Sequence, residues 1–203
     1  MISVIMPIYN EEKFIKKALD SILIQNTLKE NYEILIADGM STDGTREIIK
    51  SYQTKNENIY LLNNHRRIVS IGFNIALTRA KGKIIVRLDG HAEFAPEYFE
   101  KCINILNKRD VFCAGGVIVH KTSGFKRNSI RIAQSSKFGV GGVAFRLKNS
   151  KANFVETLAF GVYKRKVFEL VGGYDEELIK NQDDEFNFRM NQKAVSYTHL
   201  TLP

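Results

Sequence analysis

The segment Ile2 to Ile8 (ISVIMPI) is apolar at nearly every position. A strand apolar on both faces belongs inside a sheet that is covered on both sides, usually by crossover helices. The next stretch of chain agrees with that reading. Phe14, Ala18, Leu19, Ile22 and Leu23 fall at helical spacing, with Asn10 placed to cap the helix and Glu11 and Glu12 in its first turn. The alternation then repeats. Strands are expected over 32–37, 59–62, 84–88, 111–120 and 154–162, and helices over 45–53, 68–79, 96–106 and 164–171. This order predicts an α/β domain, a mostly parallel Rossmann-like sheet flanked by helices. Ligands of such sheets sit beyond the carboxyl ends of the strands, where Asn10, Asp38 and Asp89 all stand.

Several classes are excluded by what the chain lacks. Its 203 residues include only two cysteines, Cys102 and Cys113, with no CxxC pair or Cys/His grid for zinc. They read as buried thiols of a reducing compartment. No GxGxxG follows the first strand, and no P-loop or GxSxG elbow occurs anywhere. The net charge of +8 suits a phosphorylated substrate, since no aromatic–basic interleaving of the RNA-binding type accompanies it. Nucleic acid is therefore not expected as a partner. Neither a signal peptide nor a run of eighteen apolar residues is seen, so a cytoplasmic domain is expected. From Ala194 the text AVSYTHLTLP breaks the preceding pattern and reads as a non-native tail. On that reading residues 1–193 form one domain, incomplete at its C-terminal end, and 194–203 are foreign to it.

Two acidic segments stand out. Residues 84–91 (IIVRLDGH) end an apolar run in Asp89, Gly90 and His91. Residues 181–189 (NQDDEFNFR) place Asp183, Asp184 and Glu185 at a helix start. Taken alone, Asp38 reads more readily as a turn-forming aspartate. The second acidic segment reads equally as a solvated helix N-terminus.

In its motifs the chain resembles the inverting family 2 glycosyltransferases of the GT-A fold, and in particular the bacterial exopolysaccharide subgroup that includes succinoglycan glucosyltransferases. The matching text is PIYNEE, ADGMSTDGT, RRIVSIGFNIAL, LDGH, GGYDEE and NQDDEFNFR, in family order from Pro7 to Arg189. The resemblance implies transfer of a hexose from a nucleotide diphosphate sugar, UDP-linked by preference, to a saccharide or lipid-linked acceptor. It implies Asp38 on the uracil imide, with Pro7, Tyr9, Asn10, Glu11, Arg67 and Asp89 completing the nucleotide pocket. Asp89 and His91 stand at the family's Asp-x-Asp metal motif and would share Mn²⁺ or Mg²⁺ with the diphosphate. Histidine in the second place leans the choice to Mn²⁺. Asp183 would be the general base that deprotonates the acceptor, helped by the like charges of Asp184 and Glu185. Gln182, Asp184 and Asp175 would face the acceptor or sugar. Arg66, Asn74 and Glu93 are further polar positions of the same motifs. Family members usually continue past the base into more helix, so a binding fragment without turnover is one alternative. A nucleotidyltransferase is another, opposed by the acidic loop after the first strand. The basic stretch at Lys126, Arg127, Arg131 and Lys137 has two readings, a surface for a phosphorylated lipid acceptor at the inner membrane face or a solvated loop.

Overall fold

The first strand, β1 (Ile2–Ile8), is buried at all seven positions. Its alternate side chains feed two separate cores. Ile2, Val4, Met6 and Ile8 join one cluster, and Ile5 joins the other. In β2 (Tyr32–Asp38), Ile34 and Ile36 go with the first cluster and Leu35 and Ala37 with the second. The period-two alternation of a strand thus builds a sheet with a core on each face.

The computed structural model describes residues 1–25, 31–108, 111–116, 160–193 and 199–202. Helices α1 (Ile15–Leu23), α2 (Thr45–Gln53) and α4 (Tyr98–Lys108) pack into the first cluster through residues such as Leu19, Ile49 and Phe99. Helices α3 (Val69–Arg79), α5 (Lys166–Val171) and α6 (Gln182–Gln192) pack into the second through Phe73, Phe168 and Phe186. With β3 (Ile59–Asn63), β4 (Ile84–Arg87), β5 (Cys113–Gly116), β6 (Val162–Lys164) and β7 (His199–Leu202), the sheet order is β3-β2-β1-β4-β6-β5-β7. Strands β1 to β4 are mutually parallel, and β6 runs antiparallel between β4 and β5. This is the expected doubly covered α/β sheet, mixed rather than purely parallel.

Several local expectations are revised. Asn10 does not cap α1, which starts at Ile15 after Phe14. Asn10 has a φ of 52° and bonds across to the β2–α2 loop instead. No acid therefore stands in the first turn of α1. Helix α4 starts at Tyr98 rather than near Pro96, because Glu97 takes a left-handed φ of 62°. The strand expected over 111–120 is present at Cys113–Gly116, and 117–120 lie outside the described residues. The strand expected over 154–162 is shifted to Val162–Lys164, with 154–159 also outside them. The basic stretch from Lys121 to Lys151 lies wholly outside them. In the segment read as a tail, His199–Leu202 pairs in parallel with β5 at the sheet edge.

Candidate active site

The parallel strands β1, β2 and β4 end at one edge of the sheet, and a cleft of about 210 Å³ opens there. Its walls include Pro7, Tyr9 and Glu11 from the β1 loop, Asn64, Arg67 and Val69 from the β3–α3 connection, Arg87, Asp89 and His91 from the end of β4, and Gln182 from α6. Seven expected site residues (Pro7, Tyr9, Glu11, Arg67, Asp89, His91 and Gln182) therefore share one wall system. Asn10, Asp38, Asp175, Asp183 and Asp184 do not line it.

On the β1–β2 side, the Arg67 guanidinium lies 5.6 Å from the centre of the Tyr9 ring, a cation–π contact. Arg67 reaches it from a left-handed φ of 58°. Asp38 is fully buried. Its carboxylate accepts from the Ser41 hydroxyl, from the Ser41 amide at 3.0 Å and from Arg46 Nη1. Arg46 Nη2 continues to Asn63 Oδ1 at 3.0 Å. The carboxylate expected on the uracil ring thus accepts one hydrogen bond on Oδ1 and two on Oδ2. Asn10 ties the same loop to β1: its amide donates to Ser41 Oγ at 2.8 Å and its Oδ1 accepts from the Thr42 amide at 2.9 Å. Asn64 was not singled out by the sequence. It donates from Nδ2 to the Ile68 carbonyl at 2.9 Å, while its buried Oδ1 has no partner among the described residues. Position is the one signal that could have found it, an Asn just past the end of β3.

At the end of β4, His91 Nδ1 meets Glu11 Oε1 at 2.7 Å. That hydrogen bond holds the His91 pKa above its ordinary value, against partial burial. Gly90 makes the approach feasible, since a Cβ there would stand 2.6 Å from Glu11 Cγ. Asp89 accepts from Arg87 Nη2 at 3.1 Å through Oδ1. Among the described residues, no group of three His, Cys, Asp or Glu side chains is placed to hold a metal ion. A standing metal centre does not fit this donor set. A hard cation that arrives with a diphosphate needs only one or two protein ligands besides the phosphate oxygens, and the Asp89 carboxylate with the His91 imidazole suits that role.

Arg87 carries the connection to the second acidic segment, and nothing in the sequence pattern marked it. Its side chain is 3% exposed. Nη1 donates to Asp183 Oδ2 at 2.7 Å and Nη2 to Asp89. Tyr174 donates its hydroxyl to Asp183 Oδ1 at 2.9 Å. Burial opposes the charge on Arg87, but Tyr174, Asp89 and Asp183 outweigh it and hold the guanidinium above its ordinary pKa. Burial likewise pushes the Asp183 carboxyl up from 3.8; Arg87 and Tyr174 pull it down, and Asp89 pushes it up again. One like charge acting on Asp183 is Asp89, at the end of β4. Glu185 is turned to Arg189, with Oε2 accepting at 2.8 Å.

Of the two neighbouring aspartates, Asp183 is drawn inward and Asp184 is exposed. Asp175 is exposed as well and caps a local turn, accepting from the Glu177 amide at 2.9 Å. The turn before it is packed closely: Gly172 has a φ of 83°, and a Cβ on Gly173 would stand 2.4 Å from Asn74 Oδ1. Asn74 binds both the amide and the carbonyl of Tyr174, at 2.9 and 2.8 Å, so it braces this turn rather than facing the cleft. Arg66 is exposed and off the cleft wall, and Glu93 is also absent from that wall.

The family model for glycosyl transferase family 2 matches residues 3–172. The chain belongs to that family. Two curated relatives of this family 2 glycosyltransferase match almost its whole length. One is the dolichyl N-acetyl-alpha-D-glucosaminyl phosphate 3-beta-D-2,3-diacetamido-2,3-dideoxy-beta-D-glucuronosyltransferase of Methanococcus voltae, 33% identical over 98% of this chain and 64% of the relative. The other is the succinoglycan biosynthesis protein ExoA of Rhizobium meliloti, 30% identical over 93% of this chain and 57% of the relative. The family 2 chain thus spans about three-fifths of the length of these relatives. Among solved structures, S. aureus TarS in complex with UDP-GlcNAc superposes with a TM-score of 0.75 at 21% identity, over 99% of this chain and 55% of TarS. The mannosyltransferase PcManGT of Pyrobaculum calidifontis, with GDP-Man and Mn²⁺, gives 0.72 at 22% identity, over 100% of this chain and 54% of that one. These likenesses establish the GT-A fold.

Proposed function

We propose that this family 2 glycosyltransferase moves a hexose, with inversion, from a UDP-linked sugar to a saccharide or lipid-linked acceptor in cell-surface polysaccharide synthesis. One observation carries the reading. The cleft beyond the parallel strands brings an aromatic–arginine wall (Tyr9, Arg67) and a carboxylate–histidine pair (Asp89, His91) together, and Arg87 leads from that pair to a second, half-buried carboxylate, Asp183. The names of the Methanococcus and Rhizobium relatives support a saccharide or lipid-linked acceptor. The UDP-GlcNAc complex of TarS supports a UDP-sugar donor.

Each residue has a role in this reading. Pro7 and Tyr9 wall the base, Asp38 accepts its imide N–H through the lone pair left on Oδ1, and Asn64 lines the same side. Asn10 and Glu11 fix the rim, and Arg67 neutralises the nucleotide phosphates. Asp89 and His91 would hold Mn²⁺ or Mg²⁺, which would supply positive charge to offset that of the departing diphosphate. Asp183 takes the proton from the acceptor hydroxyl as its oxygen attacks the anomeric carbon, the bond to the diphosphate breaking on the opposite face. Gln182 faces the sugar. Asp184 and Asp175, both exposed, stay at the acceptor side. Among the described residues no helix is long and apolar enough to cross a membrane. A cytoplasmic location, with membrane contact made through a lipid-linked acceptor, completes the proposal.

Calorimetric titration of UDP into the whole chain, with and without Mn²⁺, tests the donor site. Binding that strengthens markedly with Mn²⁺ and is lost in Asp89→Ala is the expected result. A cooperatively melting protein that binds no UDP under either condition would sink the reading.

A further inference from the structure

Asp89 and Asp183 come from different parts of the fold, the end of β4 and the first turn of α6, and one side chain joins them. Arg87 Nη2 holds Asp89 at 3.1 Å and Nη1 holds Asp183 at 2.7 Å. We propose that Arg87 is a positioning residue for the transfer reaction, a strut that fixes the Asp183 carboxylate in place relative to Asp89 and so sets the base against the donor phosphates. This rests on the reading of Asp183 as the base.

Three observations support the strut. First, the guanidinium is a rigid planar fork whose two ends bind two carboxylates at a set separation, which a lysine ammonium does not do. Second, Arg87 is itself immobilised. Its amide donates to the Gly161 carbonyl at 3.1 Å, and the rings of Phe160 and Tyr174 each lie 5.8 Å from its guanidinium carbon. Third, the arrangement is a poor one for stability alone. Nε is buried with no hydrogen-bond partner among the described residues. An orphaned buried donor costs stability, and buried ion pairs are often replaced by apolar groups without loss. Geometry at the reacting centre accounts for a cation held this way; packing does not.

The strut also answers a chemical need. A base must be ionised to accept a proton, and both burial and the Asp89 charge favour the protonated form of Asp183. Among the groups acting on Asp183 are Arg87 and Asp89 from the end of β4, Tyr174 from the turn before α6, and Tyr163 from β6. Arg87 is the one cation among them. With Nη1 on Oδ2 and Tyr174 on Oδ1, each oxygen keeps a lone pair for an incoming hydroxyl.

The test is a carbon-13 NMR titration of the Asp183 side-chain carboxyl, assigned with Asp183→Asn, in the wild-type chain and in Arg87→Met and Arg87→Lys. The midpoint is expected to rise by about one pH unit or more in Arg87→Met, the size of effect an adjacent arginine has on an aspartate. Arg87→Lys is expected to restore only part of the shift. Should Arg87→Met fail to melt cooperatively, Arg87→Gln removes the charge with a polar side chain and carries the same expectation. An unchanged midpoint in a folded neutral variant overturns the role of Arg87. A separate titration of UDP with Mn²⁺ into Asp183→Asn checks the underlying reading. Retained binding supports Asp183 as the base. Lost binding moves Asp183 into the donor site and overturns the base assignment, independently of the NMR result.

Discussion

Asp38 and Asp183 are both carboxylates held by an arginine beside the same cleft, yet their surroundings differ in kind. Asp38 finds Ser41 three residues away and Arg46 eight residues away, and its network runs on through Ser41 to Asn10 and through Arg46 to Asn63. Asp183 finds Tyr174 nine residues away but Arg87 ninety-six residues away, and through Arg87 it reaches Asp89. The first network ties the β2–α2 loop to the ends of β1 and β3. A network that crosses from a helix to a strand end fixes the relation between two parts of a site. In the proposed function Asp183 serves the transfer step, while Asp38 also holds the rim of the cleft together.

The sharpest way to break this contrast is to neutralise each carboxylate in turn. Asp183→Asn should lower UDP release from a turned-over UDP-sugar by about 10²–10⁴-fold, the usual contribution of a general base. Its urea midpoint should stay close to that of the wild type. Equal activity in the two proteins would place the base elsewhere. Asp38→Ala should do the reverse, lowering stability to urea by about 2–3 kcal/mol because Arg46 and Ser41 lose a charged acceptor. Gly173→Ala should cost about 1–3 kcal/mol by driving a Cβ into the Asn74 amide. Chemical denaturation with two probes would read both losses.

The pH profile sharpens the same comparison. Burial raises the Asp183 pKa above 3.8, so the active, ionised base is present above that raised value and is lost as pH falls through it. The acid limb of the rate should therefore lie above the ordinary aspartate value. Tyr174→Phe removes a hydrogen bond to the charged form, so it should move that limb to still higher pH and cost about 1 kcal/mol of stability. A limb that moved downward would contradict the assignment. The smallest stability effect should be at Asp175→Ala, whose exposed carboxylate accepts from the Glu177 amide of its own turn; a change within about 0.5 kcal/mol is expected.

The frame was readable from the sequence because it depends on periodicity. The apolar run of β1 and the acidic start of α6 both signal their elements directly. The residues missed depend on the third dimension. Arg87 sits at the end of an apolar run and looks like a strand-terminal charge, and only the return of the chain at α6 brings Asp183 to it. Asn10 has the composition of a helix cap, but its hydrogen bonds go to Ser41 and Thr42, thirty-one and thirty-two residues away. Asp38 stands at a strand end as expected, while its engagement with Arg46 follows from how α2 is turned toward β2. Asn64 is one of two adjacent asparagines, and only burial distinguishes it.

The rim between β1 and β2 has a further consequence. Asn10, Glu11 and Glu12 each donate a backbone amide across the loop, to Ser41, Thr45 and Asp43 at 2.8, 2.8 and 3.2 Å. Three consecutive peptide groups are committed before any ligand arrives, at the expense of a turn that α1 could otherwise have had. The conformational entropy of this edge is lost when the chain folds, not when a nucleotide docks. Donor binding at this edge should accordingly carry little ordering entropy, as expected for a mould set in advance of its cast.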